Sequence, residues 1–377
     1  MKKITFFLSS ALCLSSIIGM AQTIVNTGAG NKHVILEEFT GIKCSNCPAG
    51  HTEAANIATA NPGTVHIIAY GPSNSSYTDP TGTNGTDFRR TFANAFYTGS
   101  YCSPQSGSRF MPSAFINRKL IGGNILQSRS GGVWTNNSNS TLTESSPMNI
   151  GIKSTYNSTA QTLTIDVEVY YTSTVTDANA LYVLITEDNL TSGYQSGSSA
   201  TVSNPYTYKH TFRENVSSNQ WGDPITGGTT QGTLYTTQYV FNLSGAIDPI
   251  NIANAHVVAF VVNSSSSNKE VYTGISAQAN GGQESTGSAT SVDEITNSID
   301  FNIYPNPSNG NVNITFTNNN INKVEIFNVL GESVYTQNIE KSEQSLFISE
   351  NILNSKGVYF VKVSNESSST TERLIIQ

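Results

Sequence analysis

Two cysteines stand three residues apart, Cys44 and Cys47, in the stretch GIKCSNCPAG. Such a pair can exchange disulfides when it sits at the start of a helix. Free backbone N–H groups and the helix dipole then stabilise a thiolate on the first sulfur, and a thiol pKa of ~8.5 can drop to roughly 3.5–7.5. The second sulfur, nearly one turn on, resolves the mixed disulfide. In this scheme Cys44 attacks and Cys47 resolves, and the redox-active disulfide is the whole cofactor. Lys43, beside Cys44, adds a positive charge that favours thiolate. Two other chemistries use the same residues. Cys44, Cys47, His51 and Cys102 could form a Cys₃His zinc site, but the second C-x-x-C or histidine pair that would mark one is missing. A disulfide could also act only as a staple. Cys102, in the Gly/Ser/Pro-rich stretch TGSYCSPQSG, is a third thiol that can exchange with the pair or stay free.

The surrounding elements decide whether the pair can work. HVILEEFT (33–40) reads as a strand and CPAGHTEAANIATAN (47–61) as a helix, with Pro48 suited to its first turn. TVHIIAYG (64–71) is a second strand, apolar enough for burial on both faces. TDFRRTFANAFY (86–97) has Phe88, Phe92 and Phe96 at helical spacing, and SAFINRKLIG (113–122) supplies one or two more strands. Cys44 and Cys47 thus fall between a strand and a helix, the order that the redox reading requires. Glu38 ends the first strand, and the alternation of a strand sends its neighbour Glu37 to the opposite side, towards solvent or an edge.

The compartment permits a disulfide. MKKITFFLSSALCLSSIIGMAQ has Lys2 and Lys3, an apolar core and small residues at Gly19 and Ala21, the layout of a signal peptide cleaved after Ala21. Cys13 follows a bulky Leu12, which disfavours lipid attachment. No later run is long enough for a membrane helix, so no transmembrane segment is expected in the mature chain. Charged residues make up only 12% and the formal net charge is −7. With no basic stripe to neutralise phosphates, nucleic acid is excluded as a partner. No phosphate-binding loop or serine nucleophile elbow is present.

The organisation read from the chain is multidomain, α/β followed by all-β: a signal peptide (1–21), an α/β domain (22–145), a β-sandwich of immunoglobulin-like type (146–275), a polar linker (276–298) and a small C-terminal β-sandwich (299–377). In QTLTIDVEVYYT (161–172), Leu163, Ile165, Val167, Val169 and Tyr171 share one face of a half-buried strand. MNIGIKSTY, LYVLITE, YTTQYVFNL and HVVAFVVN are further strands of the sandwich.

Two resemblances add to this reading. YPNPSNG (304–310), VEIFNVLGESV (324–334), GVYFVKV (357–363) and the final ERLIIQ resemble, in order, the type A C-terminal sorting domain of type IX secretion cargo. That implies passage across the outer membrane, with the secretion machinery as a partner through residues 299–377, and release or attachment at the cell surface. EEFTGIKCSNCPAGH followed by MPSAFINR, with a sandwich behind, is similar to the thioredoxin-like outer-membrane protein family of Bacteroidota. This second resemblance implies a thioredoxin-like domain in which Glu38 handles the proton of Cys47. Pro112 would be a cis-proline facing the cysteines, and the backbone of Met111 would hold a substrate peptide as an added strand. Ser45 and Asn46 replace the Gly-Pro of thioredoxin at the substrate-contacting turn, and Lys43 replaces its tryptophan.

Two functions compete. One is an exported thiol–disulfide oxidoreductase whose partners are protein thiols or disulfides. The other is a surface binding or adhesion protein that keeps the disulfide as a staple.

Overall fold

The computed structural model describes residues 23–97, 101, 109–197, 202–288, 301–316, 321–340, 343–353, 355–365 and 369–377. The signal-peptide expectation and Cys102 lie outside them. The chain divides into two units, Met1–Ala289 and Thr290–Gln377.

In chain order the first unit contains β1 (Val34–Phe39), α1 (Cys47–Ala60), β2 (Val65–Tyr70), α2 (Asn94–Tyr97), β3 (Ser113–Ile116), β4 (Gln127–Ser128) and α3 (Val133–Thr141). It continues with β5 (Met148–Asn157), β6 (Thr162–Tyr171), β7 (Asn179–Glu187), β8 (Leu190–Ser192), β9 (Tyr206–Tyr208) and β10 (Thr211–Asn215). β11 (Asp223–Pro224), β12 (Leu234–Asn242), β13 (Ala255–Asn263), β14 (Val271–Gln278) and β15 (Gln283–Ser285) complete it.

One mixed sheet, ordered β14-β13-β7-β10-β2-β1-β3-β4 with β11 beside β7, runs through this unit. β1 lies parallel to β2 and antiparallel to β3. The segments 22–145 and 146–275, read from the sequence as two domains, therefore share a sheet. The join is β10, which meets β2 in parallel at Thr211 and Ala69 and pairs with β7 on its other side. An exposed β2 edge would offer unpaired N–H and C=O groups, and β10 covers it.

The second sheet, β12-β6-β5-β15, packs on the far half of the first. β6 alternates as its sequence requires: Leu163, Ile165, Val167, Val169 and Tyr171 are all fully buried. They meet Leu181, Val183 and Ile185 of β7 in one core. The intervening residues of β7, Ala180, Tyr182 and Leu184, face a different core on the other side, with Phe39, Tyr70, Phe96 and Phe115. β7 is thus buried at every position, and apolar from Ala180 to Ile185, because it separates two cores. Residues 276–288, expected as linker, are structured through β14 and β15, where Gln283 and Ser285 pair with Lys153 and Gly151 of β5.

α1 covers the near half of the mixed sheet. Ala54 and Ile57 pack with Val34, Leu36, Ile67, Ala114, Ile116 and Trp134. Trp134 belongs to α3, a helix that the sequence reading did not assign. The expected helix over 86–97 shortens to a 3-10 turn at Thr91–Ala93 and the four residues of α2. Upstream, the Asp87 carboxylate accepts from the Arg89 N–H, and Arg90 N–H donates to Gly71 O. These bonds hold the chain extended, and Phe88 packs tilted against Tyr208 instead, ring centroids 5.0 Å apart.

The second unit is a small β-sandwich. β16 (Phe301–Tyr304), β17 (Val312–Phe316) and β20 (Ser345–Ile348) form one sheet, and β18 (Lys323–Asn328), β19 (Ser333–Asn338), β21 (Gly357–Ser364) and β22 (Ser369–Ile376) the other. Val312, Ile314, Val324, Ile326, Val361, Val363 and Leu374 fill its core.

Candidate functional site

β1 delivers the chain through Thr40–Lys43 to the cysteine turn, and Cys47 opens α1 with Pro48 in the first turn. Cys44 and Cys47 are joined by a disulfide. Ser45 and Asn46, between them, are exposed. The sulfur-bearing residues are not: Cys44 is 2% exposed and Cys47 fully buried, in a cluster with Tyr97, Tyr101 and Met111. Lys43 does not direct its charge at Cys44 alone, since its ammonium donates to Thr81 O at 2.8 Å.

The cover comes from far along the chain. The Gln195 side-chain amide donates to Cys44 O at 3.0 Å and to Gly41 O at 3.4 Å. Tyr208 donates to the Gln195 carbonyl oxygen, and Gln195 exchanges backbone hydrogen bonds with the Asn204 side chain. Ser196 N–H donates to Ile42 O at 2.7 Å. Gln195 and Ser196 are thereby fastened over the cysteine turn.

Beneath the turn, alternation along β1 separates two carboxylates. Glu38 shares the face of Val34 and Leu36, towards α1. It is 1% exposed, and its Oε1 has no hydrogen-bond partner among the described residues. Burial, reinforced by the charge of Glu53, raises its pKa well above the ordinary carboxylate value, a shift that favours the neutral acid. Gly50, one turn after Cys47 on the same helix face, is the point of contact. A Cβ there would fall 2.6 Å from Glu38 Oε1 and 2.7 Å from Pro112 Cβ. Glu38, Pro112 and the Cys47 face of α1 therefore converge. Pro112 stands immediately before β3, after a cis Met111–Pro112 peptide, and the Met111 side chain is buried.

Glu37 was expected towards solvent or an edge. Its alternation is as read, but the other face of β1 is a core. Glu37 is fully buried and accepts from Arg118 Nε at 2.6 Å and Nη2 at 2.7 Å, and from the Tyr70 hydroxyl at 3.2 Å. The Arg118 guanidinium lies over the rings of Phe96, Tyr182 and Phe260. The solvent or edge side expected for Glu37 does not exist here, because Phe96 of α2, Tyr182 of β7 and Phe260 of β13 pack on this face.

His51 stands next to Glu38. Its Nε2 lies 2.7 Å from Thr40 Oγ1 and 3.9 Å from Glu38 Oε1, and its Nδ1 lies 2.8 Å from the Tyr206 hydroxyl. Burial, with a smaller push from His210, lowers its pKa to about 4. Among the described residues no His/Cys/Asp/Glu group is arranged to hold a metal. Sequence reasoning missed Gly50, Gln195, Tyr206 and Tyr208. The last three carry no local signal, since they reach the cysteine turn only through the fold.

Residues 104–275 match the family model described as outer membrane protein Omp28, and residues 302–377 that of the secretion system C-terminal sorting domain. The protein is exported to the outer membrane or cell surface. Its C-terminal unit is a type IX sorting domain, as its four sequence segments resembled. The Omp28 match takes in Pro112, Gln195 and Tyr206 and begins after the two cysteines and Glu38. Among solved structures, HBP35 of Porphyromonas gingivalis aligns over 93% of this chain and 100% of its own, at 16% identity and a TM-score of 0.50. That likeness speaks for the fold. A protein of Agrobacterium tumefaciens aligns over 69% of this chain and 97% of its own, at 11% identity and a TM-score of 0.38, too loosely to carry an argument. No curated protein matches the chain.

Proposed function

We propose that this surface protein performs thiol–disulfide exchange at Cys44–Cys47 in a thioredoxin-like half of its first unit, beneath a cover formed by Gln195 and Ser196. One observation carries the reading: the buried carboxyl of Glu38, its Oε1 unpartnered among the described residues, against the Cys47 face of α1. Leaving a buried polar atom without a hydrogen bond costs about 1–3 kcal/mol, and a staple requires no such group. A resolving cysteine does require it, because its sulfur must gain a proton when the disulfide opens and lose one when it closes. Glu38 would supply that proton, Cys44 would meet the partner's sulfur, and Ser45 and Asn46 would form the contact surface. Met111 and Pro112 would border the peptide that brings the sulfur in.

The burial of both cysteines favours a second reading, a surface binding protein in which the disulfide is structural. Incubating the folded chain with graded dithiothreitol and trapping free thiols separates the two. Exchange predicts that Cys44–Cys47 equilibrates with the dithiol while the fold persists, and that Cys44→Ser abolishes mixed-disulfide formation. Reduction that occurs only as the chain unfolds establishes the staple.

A further inference from the structure

A pocket of ≈ 290 Å³ lies between α1 and the start of the β9–β10 stretch, lined by Glu38, His51, Asn56, Tyr206, Lys209 and His210 among others. At ~30 Å³ per water in the liquid, it is roomy enough for several waters. Its mouth is polar: Thr207 and Lys209 are exposed. Its inner end is Glu38, whose Oε1 is buried and unpartnered among the described residues. Between the two stands His51, with 18% of its side chain open to solvent. Thr40 and Tyr206 hold its ring by both nitrogens, and Nε2 is just outside hydrogen-bond distance of the carboxyl.

We infer that this pocket is the route by which Glu38 exchanges its proton with solvent, His51 carrying the proton and Tyr206 orienting His51. The inference rests on the exchange reading of the disulfide. In that chemistry a thiolate of a dithiol partner attacks Cys44 Sγ and forms a new S–S bond. The Cys44–Cys47 bond breaks and its electron pair goes to Cys47 Sγ, which takes the proton of Glu38. The partner's second thiolate then displaces Cys44 as a thiolate, and the partner leaves as a disulfide. Glu38 is left as a buried carboxylate facing Gly50 and His51, with no ion-paired Lys or Arg among the described residues. Closure of the disulfide would return the Cys47 proton to it; while the site stays reduced, the buried carboxylate draws a proton from solvent, and on the sulfur side Cys44 and Cys47 lie in a buried cluster with Tyr97 and Met111. The pocket side is open. A new carboxylate also raises the proton affinity of the neutral His51 ring, so the proton that His51 collects at the mouth is drawn inward. The other charged or titratable groups facing this pair are Glu53 on α1 and Lys209 and His210 beyond Tyr206; Tyr208 packs edge-on against His51. None stands between His51 and Glu38.

The test is stopped-flow reduction of the full mature chain by dithiothreitol in wild type, His51→Ala and Tyr206→Phe, with disulfide opening followed by thiol trapping and the proton uptake after it by a pH-indicator dye. Removing a proton carrier should slow that uptake about tenfold or more. Added imidazole should restore the His51→Ala rate in proportion to its concentration, and the equilibrium reduction potential should stay unchanged. Tyr206→Phe, which keeps the ring, should slow the uptake several-fold and decides the matter if His51→Ala does not fold. Wild-type rates in both variants, or a slow His51→Ala that imidazole does not rescue, overturn the route and leave exchange standing. A wild-type disulfide that opens only at the rate of global unfolding overturns exchange and the route together.

Discussion

Glu37 and Glu38 are adjacent on β1, both are buried, and they face opposite cores, one paired with Arg118 and the other unpartnered at its Oε1. The pleat of the strand creates this division, and it assigns one carboxyl to architecture and the other to the cysteine turn.

Arg118→Ala should be strongly destabilising. It strands the Glu37 carboxylate among Phe96, Tyr182 and Phe260, and removing one partner of a buried pair costs about 3–5 kcal/mol. Urea unfolding of the first unit measures this. A loss below about 1 kcal/mol would show that water or a neighbour replaces the guanidinium.

Gly50→Ala tests the convergence beneath the cysteines. Its methyl group would meet Glu38 Oε1, on β1, and Pro112, just ahead of β3, together. Overpacking of this kind costs roughly 1–3 kcal/mol, read as a lower denaturation midpoint. Ala49→Gly, on the half-exposed neighbouring position, should lose about 1 kcal/mol or less, the ordinary helix-propensity difference.

Gln195→Ala should unfasten the cover. It removes the amide that holds Cys44 O and Gly41 O, bonds worth about 1 kcal/mol each. Native-state alkylation after brief dithiol exposure should then label Cys44 about tenfold faster, since ~1.4 kcal/mol is a factor of ten. An unchanged rate would mean that Tyr97, Tyr101 and Met111 alone control access.

The dependence of stability on pH should have two limbs of opposite sign. Burial lowers His33 from 6.5 to about 4 and His66 from 6.5 to about 3, and their rings stack with Nδ1 and Nε2 3.2 Å apart. The unfolded chain binds these protons more readily. Their contribution is therefore whole above pH 6.5 and is lost as pH falls through 4 and 3. Glu38 has the reverse sign. Its folded pKa is raised above 4.5, so its contribution is whole below that pH and erodes as pH rises towards the folded value. Denaturant midpoints between pH 3 and 9 should show both limbs, with His66→Gln flattening the acid one and Glu38→Gln the other.

Local pattern was enough for much of this molecule. The alternation of β6, the apolar run of β2, the proline-led start of α1 and the two strand faces of Glu37 and Glu38 follow from side-chain periodicity and backbone chemistry. The sorting domain was legible because its segments stand in order in the chain. What the chain alone could not decide is what lies against each face. Glu37 met a core instead of solvent because β7 and β13, more than 140 residues away, carry Tyr182 and Phe260 across it. A sandwich and an α/β layer became one sheet because a single short strand, β10, closes the β2 edge. The fastening of the cysteine turn by Gln195, and the lining of the Glu38 pocket by Tyr206, come from a stretch with no periodic signal. Periodicity determines where a side chain points, and only tertiary packing determines what it finds there.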